Sequence, residues 1–142
     1  MIRKANLDDI NYIIKLEIKL FTQSLGYNFL KNEIENNPFS NILVYTKNNI
    51  IIGYIGYRAV DKNAELLNFL IDTKYQQQGY GTKLFDYCIN DLKNKGVKDL
   101  VLEVRKNNQQ ALNFYDKYNA SIINIIPNYY IDEDAYVLNI KI

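Results

Sequence analysis

Residues 64–104, AELLNFLIDTKYQQQGYGTKLFDYCINDLKNKGVKDLVLEV, constrain the fold more than any other part of the chain. The stretch opens on AELLNFLI, a run so continuously apolar that it reads as a strand buried on both faces. It closes on DLVLEV, a second buried strand. Between them Leu84, Phe85, Cys88, Ile89 and Leu92 recur at helical spacing over residues 82–94. Gly96 follows where a left-handed residue ends a helix. Strand, helix and strand in that order imply a crossover between parallel strands, expected to be right-handed.

The flanking sequence supplies antiparallel partners. Residues 1–4 suit a short first strand, and Asn6 is a good N-cap for a helix that would turn Ile10, Ile14, Ile18 and Phe21 inward. A second helix is expected over residues 27–35, stopped by Pro38. NILVYTKNNIIIGYIGYRAV reads as two strands around Asn48-Asn49, a turn pair tolerant of positive φ. Asn108 begins a further helix through QQALNFYDKY, and two last strands are expected over residues 122–126 and 136–142. The reading is a mixed α/β (α+β) domain spanning residues 1–142, with six to seven strands and flanking helices.

Composition removes whole classes of chemistry. The 142 residues contain no histidine and one cysteine, so Ser-His and Cys-His nucleophiles, a disulfide framework and the usual zinc ligands are out of reach, and no metal is expected. A net charge of +1 gives no basic stripe for nucleic acid. No run approaches the length of a membrane span, so a cytoplasmic protein is expected, as monomer or homodimer. Acid–base work must fall to carboxylates, tyrosines, lysines or a terminus. Cys88 faces the core on the helical pattern and reads as packing.

The loop YQQQGYG joins the first apolar strand to the amphipathic helix, where backbone amides and the helix dipole favour an anion. It has neither the lysine of a P-loop nor the third glycine of a dinucleotide fingerprint, since Leu84 stands there. Gly79 and Gly81 are expected to take unusual dihedrals and admit a ligand close to the backbone. Taken alone, the spacing also fits a plain strand-to-helix turn.

Gln76-x-x-Gly79-x-Gly81 resembles the Gln/Arg-x-x-Gly-x-Gly/Ala loop of the GNAT acetyltransferase superfamily. With LEVRKNNQQALNFY after it and NYY at positions 128–130, the chain is most similar to the ribosomal-protein alanine N-acetyltransferases of the RimI type. The resemblance implies a GNAT fold, a mostly antiparallel sheet with a splayed parallel pair, and acetyl-CoA as cosubstrate. It implies that Gln76, Gln77, Gln78, Gly79, Tyr80, Gly81 and Thr82 grip the pyrophosphate. Main-chain groups of Phe69, Leu70 and Ile71 would line the pantetheine and polarise the thioester, and Asn108 would contact the cofactor as well as cap its helix. Gln77 replaces the usual arginine, and Asn119-Ala120 replaces the usual Gly-Phe, with Asn119 still able to take a left-handed cap.

Leu100, Leu102 and Val104 share one face of DLVLEVR, while Val101, Glu103 and Arg105 share the other. A carboxylate in so apolar a strand is expected to be desolvated. An ordinary paired glutamate fits the residues as well, and the resemblance assigns Glu103 as the base. Tyr115 lies two helical turns after Asn108, hence on nearly the same face. The resemblance makes it the acid that protonates the departing thiolate. Tyr129 and Tyr130 are expected in a loop between the last strands, pointing opposite ways, and the resemblance implies that one of them binds the acceptor peptide.

The expected activity is transfer of acetyl to the N-terminal α-amine of a protein, a ribosomal protein by resemblance. An α-amine, with an ordinary pKa of about 7.7–8.0, keeps a sizeable neutral fraction near neutrality. Acetylation of a small amine, such as a polyamine, amino acid or aminoglycoside, remains an alternative. So does a non-catalytic acetyl-CoA-binding module.

Overall fold

The computed structural model describes residues 1–142. In chain order the elements are β1 (Ile2–Lys4), α1 (Ile10–Phe21), α2 (Tyr27–Glu35), β2 (Ser40–Lys47), β3 (Ile50–Val60), β4 (Asn63–Ile71), α3 (Tyr80–Asn94), β5 (Asp99–Arg105), α4 (Gln109–Asp116), β6 (Ser121–Tyr130) and β7 (Glu133–Lys141). The seven strands follow the order β1-β2-β3-β4-β5-β7-β6. The β1–β2, β2–β3, β5–β7 and β7–β6 pairs are antiparallel, and β4 runs parallel to β5, with Asn63, Ala64 and Glu65 opposite Asp99, Leu100 and Val101. By internal contacts the chain groups into two compact units, residues 1–58 with 67–91 and residues 59–66 with 92–142.

The first unit is built on the β2–β3 hairpin. Its turn residues Asn48 and Asn49 both take left-handed φ, 51° and 63°, as an Asn-Asn pair permits at low cost. Ile10, Ile13, Leu16 and Leu30 pack with Ile42, Val44, Tyr54 and Leu70 into one apolar cluster. The buried stripe of α1 is therefore Ile10, Ile13 and Leu16, and the expected inward positions Ile18 and Phe21 are 53% and 43% exposed. A four-residue spacing overshoots a full turn by about 40° at each step, so Ile18 lies about 80° around α1 from Ile10, and Phe21 is the last residue of the helix. Asn6 caps a single 3-10 turn over residues 7–9 before α1, through a capping box with Asp9.

A second departure concerns β4. Ala64, Leu70 and Ile71 are buried, but Leu66 to Phe69 are only half-buried, so the strand is not covered on both faces throughout. At its end β4 comes very close to β3. A Cβ on Gly53 would lie 2.7 Å from the Leu70 carbonyl oxygen and 2.5 Å from Ile71 Cδ1, so only glycine fits there. The Asp72 N–H then donates to the Ile52 carbonyl at 2.7 Å.

Glu17 is the polar centre of this unit. Its side chain is fully buried, and its two oxygens accept from Ser24 Oγ at 2.7 Å, Tyr54 Oη at 2.5 Å and Asn68 Nδ2 at 2.9 Å. Burial, and then the carboxylate beside it, hold the Tyr54 phenol far above its ordinary pKa. Glu33, also buried, is held by Arg58 and by Asn37 Nδ2 at 2.7 Å.

In the second unit alternation along β5 decides what is inside. Leu100, Leu102 and Val104 are 0%, 2% and 5% exposed and lie opposite Ile140, Leu138 and Tyr136 of β7. The α4 helix contributes Tyr115, also buried, and the chain leaves that helix through Asn119 at a left-handed φ of 57°. The last strands are longer than the sequence pattern suggests. β6 continues to Tyr130, so Asn128-Tyr129-Tyr130 belongs to a strand and not to a loop, and the turn is Ile131-Asp132.

Glu17→Ala should lower stability by about 3 kcal/mol, because it removes the buried acceptor shared by Ser24 Oγ, the Tyr54 hydroxyl and Asn68 Nδ2. Glu17→Gln, which keeps an acceptor, should cost clearly less. Urea denaturation of the three proteins checks both.

Candidate functional site

The glycine loop in the first unit begins with a 3-10 turn over residues 73–75 and ends at the first residue of α3. Two residues in it are left-handed, Gln77 at φ 59° and Gly79 at φ 90°. Space stays open where a Gly79 Cβ would stand. Gly81 does not share this geometry. The helix starts at Tyr80, two residues earlier than the apolar pattern indicates, so Gly81 sits in its first turn without a positive φ. The first helical hydrogen bond runs from the Lys83 N–H to the Gly79 carbonyl at 3.1 Å. The amides of Tyr80, Gly81 and Thr82 precede it, and a helix start leaves such donors unpaired and polarised toward an anion.

Side chains brace the loop. Gln76 Nε2 donates to the Ile71 carbonyl at 2.9 Å, and Gln78 Nε2 to the Lys74 carbonyl at 3.1 Å. These two glutamines therefore shape the backbone, and Gln77 is exposed. Lys47 Nζ reaches the Tyr80 hydroxyl at 2.8 Å, and the Tyr45 ring meets Tyr80 edge-on at 5.2 Å. Lys19 pairs with Asp72 at 2.7 Å, tying α1 to the end of β4. Burial alone would raise the Asp72 pKa, but the Lys19 ammonium reverses this and leaves it lowered. Sequence patterns gave no sign of Lys19, Tyr45 or Lys47, whose partners are 53, 35 and 33 residues away. Of the expected β4 residues, Leu70 and Ile71 are buried and Phe69 packs against Phe85 with centroids 5.5 Å apart. The Phe69 N–H is engaged by its neighbour, Asn68 Oδ1, at 3.0 Å.

A second group of candidates lies in the other unit, and here the structure corrects the desolvation expected for Glu103. Its side chain is exposed, because it lies on the β5 face opposite Leu100, Leu102 and Val104. What the sequence pattern missed is the neighbour that fills this face. The Tyr129 hydroxyl hydrogen-bonds to the Glu103 carboxylate, which pushes the phenol up to about 12. Tyr130 lies against Tyr129 with ring centroids 5.1 Å apart and planes at 88°. Its other neighbour is Arg105, whose guanidinium carbon is 4.1 Å from the Tyr130 centroid.

The two tyrosines do not point opposite ways, and the cause is in the backbone. Between the Ile126–Ala135 and Tyr130–Glu133 pairs, residues 127–129 of β6 face the single residue Asp134, and Asn128 is left-handed at φ 53°. The bulge breaks strand alternation, so both rings turn toward β5. The extra N–H at Asn128 is taken by Asp134 Oδ1 at 2.9 Å.

Asn108 and Tyr115 sit at the two ends of α4. Asn108 has ψ 77°, outside the helix, and its Oδ1 accepts from the Ala111 N–H at 3.1 Å. The two-turn phase relation therefore does not reach it. Tyr115 is 7% exposed and meets Phe114 edge-on at 5.3 Å. Cys88 is fully buried, in keeping with a packing role. No group of three or more acidic, Cys or His side chains is placed to hold a metal ion. No helix is long and apolar enough to cross a membrane.

Comparison with known proteins agrees with this architecture. Residues 10–120 match the acetyltransferase (GNAT) family model. A Bacillus subtilis (strain 168) protein provisionally named a ribosomal protein bS18-alanine N-acetyltransferase is 32% identical over 143 aligned positions, covering 99% of this chain and 95% of that one. An N-alpha-acetyltransferase of Saccharolobus solfataricus is 25% identical, covering 96% and 90%. Among solved structures, the ribosomal-protein-S18-alanine N-acetyltransferase of Escherichia coli superposes with a TM-score of 0.91 at 25% identity, covering 100% of this chain and 93% of that one.

The Glu103–Tyr129 contact has a titration signature. In the wild type the Tyr129 phenol should ionise near 12. In Glu103→Gln it should fall back toward about 10, the ordinary tyrosine value, because the anion opposing tyrosinate is gone. Ring-carbon NMR of labelled tyrosine, assigned with Tyr129→Phe, reads the shift.

Proposed function

The chain belongs to the GNAT acetyltransferase family and is an N-acetyltransferase, and on that premise we propose that it acetylates the N-terminal α-amine of a ribosomal protein with acetyl-CoA. The observation that carries the acceptor assignment is the 32% identity, over 99% of this chain, to a relative named for the alanine terminus of ribosomal protein bS18. Residues 1–142 act as one domain in this reading, in the cytoplasm, as monomer or homodimer and without nucleic acid.

The donors of the first unit suit the cofactor. Three amides at the start of α3, with a left-handed Gly79 before them and no side chain to block approach, are what a pyrophosphate needs. Residues 76–82 take this role. Backbone groups of Phe69, Leu70 and Ile71 serve the pantetheine and the thioester oxygen. Since the Phe69 N–H is engaged by Asn68, the polarising amide belongs to Leu70 or Ile71. Asn108 contributes to cofactor binding from the start of α4.

Glu103 is the base. Its exposed carboxylate takes the proton of the acceptor ammonium, directly or through water, and the neutral nitrogen attacks the thioester carbon. The carbon–sulfur bond breaks, and Tyr115 gives its phenolic proton to the leaving thiolate. A carboxylate accepts several hydrogen bonds at once, so the Tyr129 hydroxyl does not exhaust it. Tyr129, half-exposed beside the base, is the tyrosine that meets the first residue of the peptide, with Tyr130 behind it. A small amine is the second acceptor class, and the acceptor experiment below separates the two.

Acetyl-CoA at about 100 times its Kd should stabilise the fold by about 2.7 kcal/mol, visible as a rise in Tm. Gly81→Asp should abolish that rise and still fold, since Gly81 has no positive φ to lose. Tyr115→Phe should lower kcat by about 10²–10⁴-fold with cofactor affinity nearly unchanged. Mass spectrometry of an alanine-first peptide and of spermidine, each incubated with enzyme and acetyl-CoA, tests the acceptor. Acetyl on spermidine but on no peptide would sink the N-terminal reading.

A further inference from the structure

Tyr130 closes the gap in the β6–β7 ladder opposite Glu133, and Tyr129 lies where the ladder is interrupted, so regular strand pairing does not set its position. Side chains do, and they converge on Arg105. Its guanidinium stacks on Tyr130, and its Nη1 donates to Asp132 Oδ1 and Glu133 Oε1, both at 3.1 Å. Glu133 Oε2 accepts in turn from the Asn107 N–H at 3.0 Å, which anchors the hairpin tip to the end of β5. Arg105 stands two residues after Glu103 on the same face of β5, so one rigid strand carries both the base and the clamp.

Stability gives little reason for such a clamp. The Arg105 side chain is 44% exposed and its partners Asp132 and Glu133 are 78% and 16% exposed, so the Asp132 pair contributes about 0–1 kcal/mol and only the Glu133 pair can add more. The planar guanidinium does something a surface ammonium would not. It lies against an aromatic face while its edge holds two carboxylates, which fixes the ring in a single orientation. Tyr130 then sets Tyr129, edge-on at 5.1 Å, and Tyr129 reaches Glu103.

We propose that Arg105 is a positioning residue for the acceptor: through Tyr130 it holds the Tyr129 hydroxyl at Glu103, and so governs how well the first residue of the acceptor peptide is bound. This rests on the reading that the acceptor is a peptide N-terminus. Arg105 touches neither substrate nor cofactor in this role. Its effect should fall on the acceptor KM and leave the chemical step alone.

The test is a double-mutant cycle of Arg105→Met and Tyr129→Phe, with an alanine-first peptide as acceptor. Arg105→Met should raise the peptide KM about fivefold or more, with kcat within about twofold and acetyl-CoA Kd unchanged. Arg105→Lys keeps the charge but not the plane and should rescue little. If Arg105 acts through Tyr129, the double variant should be no worse than the more impaired single one. A wild-type KM in Arg105→Met overturns the proposal, as do effects that multiply in the double variant. A fall in kcat and Tm with KM unchanged also overturns it, leaving Arg105 a structural part only. Tyrosine NMR supplies a readout that needs no turnover. Arg105→Met should move the Tyr129 ionisation down from about 12 by releasing its hydroxyl from Glu103. An unmoved Tyr129 counts against the clamp even if no peptide is acetylated, whereas a moved Tyr129 with no peptide turnover faults only the acceptor assignment.

Discussion

Glu17 sits in the middle of the first unit with its carboxylate removed from water, and its three partners are neutral donors. Taking a carboxylate out of solvent is costly unless each oxygen is well bonded. The surrounding chain is arranged to meet that demand. Ser24 comes from the segment before α2, where it also accepts from the Gly26 N–H at 3.0 Å. Tyr54 comes from β3 and Asn68 from β4. One side chain of α1 thereby fixes a connecting segment and two strands at once. Apolar packing alone would tolerate small slides between these elements, whereas hydrogen bonds of 2.5–2.9 Å do not.

The consequence reaches the glycine loop. Asn68 is joined to Glu17 by its amide nitrogen and to the Phe69 N–H by its oxygen, so its orientation is determined. Phe69, Leu70 and Ile71 follow directly, and the close approach permitted by Gly53 holds the end of β4 against β3. The Lys19–Asp72 pair adds a second tie from the same helix. In the proposed function these amides receive a charged ligand, and donors already in place need not be ordered on binding.

In the second unit the equivalent constraint is the two-residue period of β5. Three apolar side chains are drawn inward, which forces Glu103 and Arg105 outward together. Glu103 is open to solvent, and the bulged end of β6 brings a phenol to it. The Glu103–Tyr129 contact depends on a defect in the sheet. A regular β6 would have sent Tyr129 and Tyr130 to opposite faces.

Much of this was legible in the residues. The order of elements, the bounds of α2, the Asn48-Asn49 turn, the Gly96 and Asn119 caps and the outward face of β5 all follow from local rules acting within a few residues. Errors arose where local rules met longer range. Ile18 drifts off the buried stripe of α1 and Phe21 ends the helix, and the apolar character of β4 suggests full burial where only Ala64, Leu70 and Ile71 are covered. Tyr129 and Tyr130, expected in a loop, end β6 instead, because the register of β6 against β7 is not written in β6.

The family motifs and the absence of histidine were therefore set by the sequence itself, and the candidates Glu103 and Tyr115 followed from the resemblance those motifs carry. Tertiary structure alone decided that Glu17 is buried among three donors, that Tyr129 meets Glu103 and that Arg105 grips Tyr130. Glu17 lies 51 residues from Asn68, and Arg105 lies 27 and 28 residues from Asp132 and Glu133. Contacts across such separations are chosen by the packing of whole elements, which no periodicity within one element encodes.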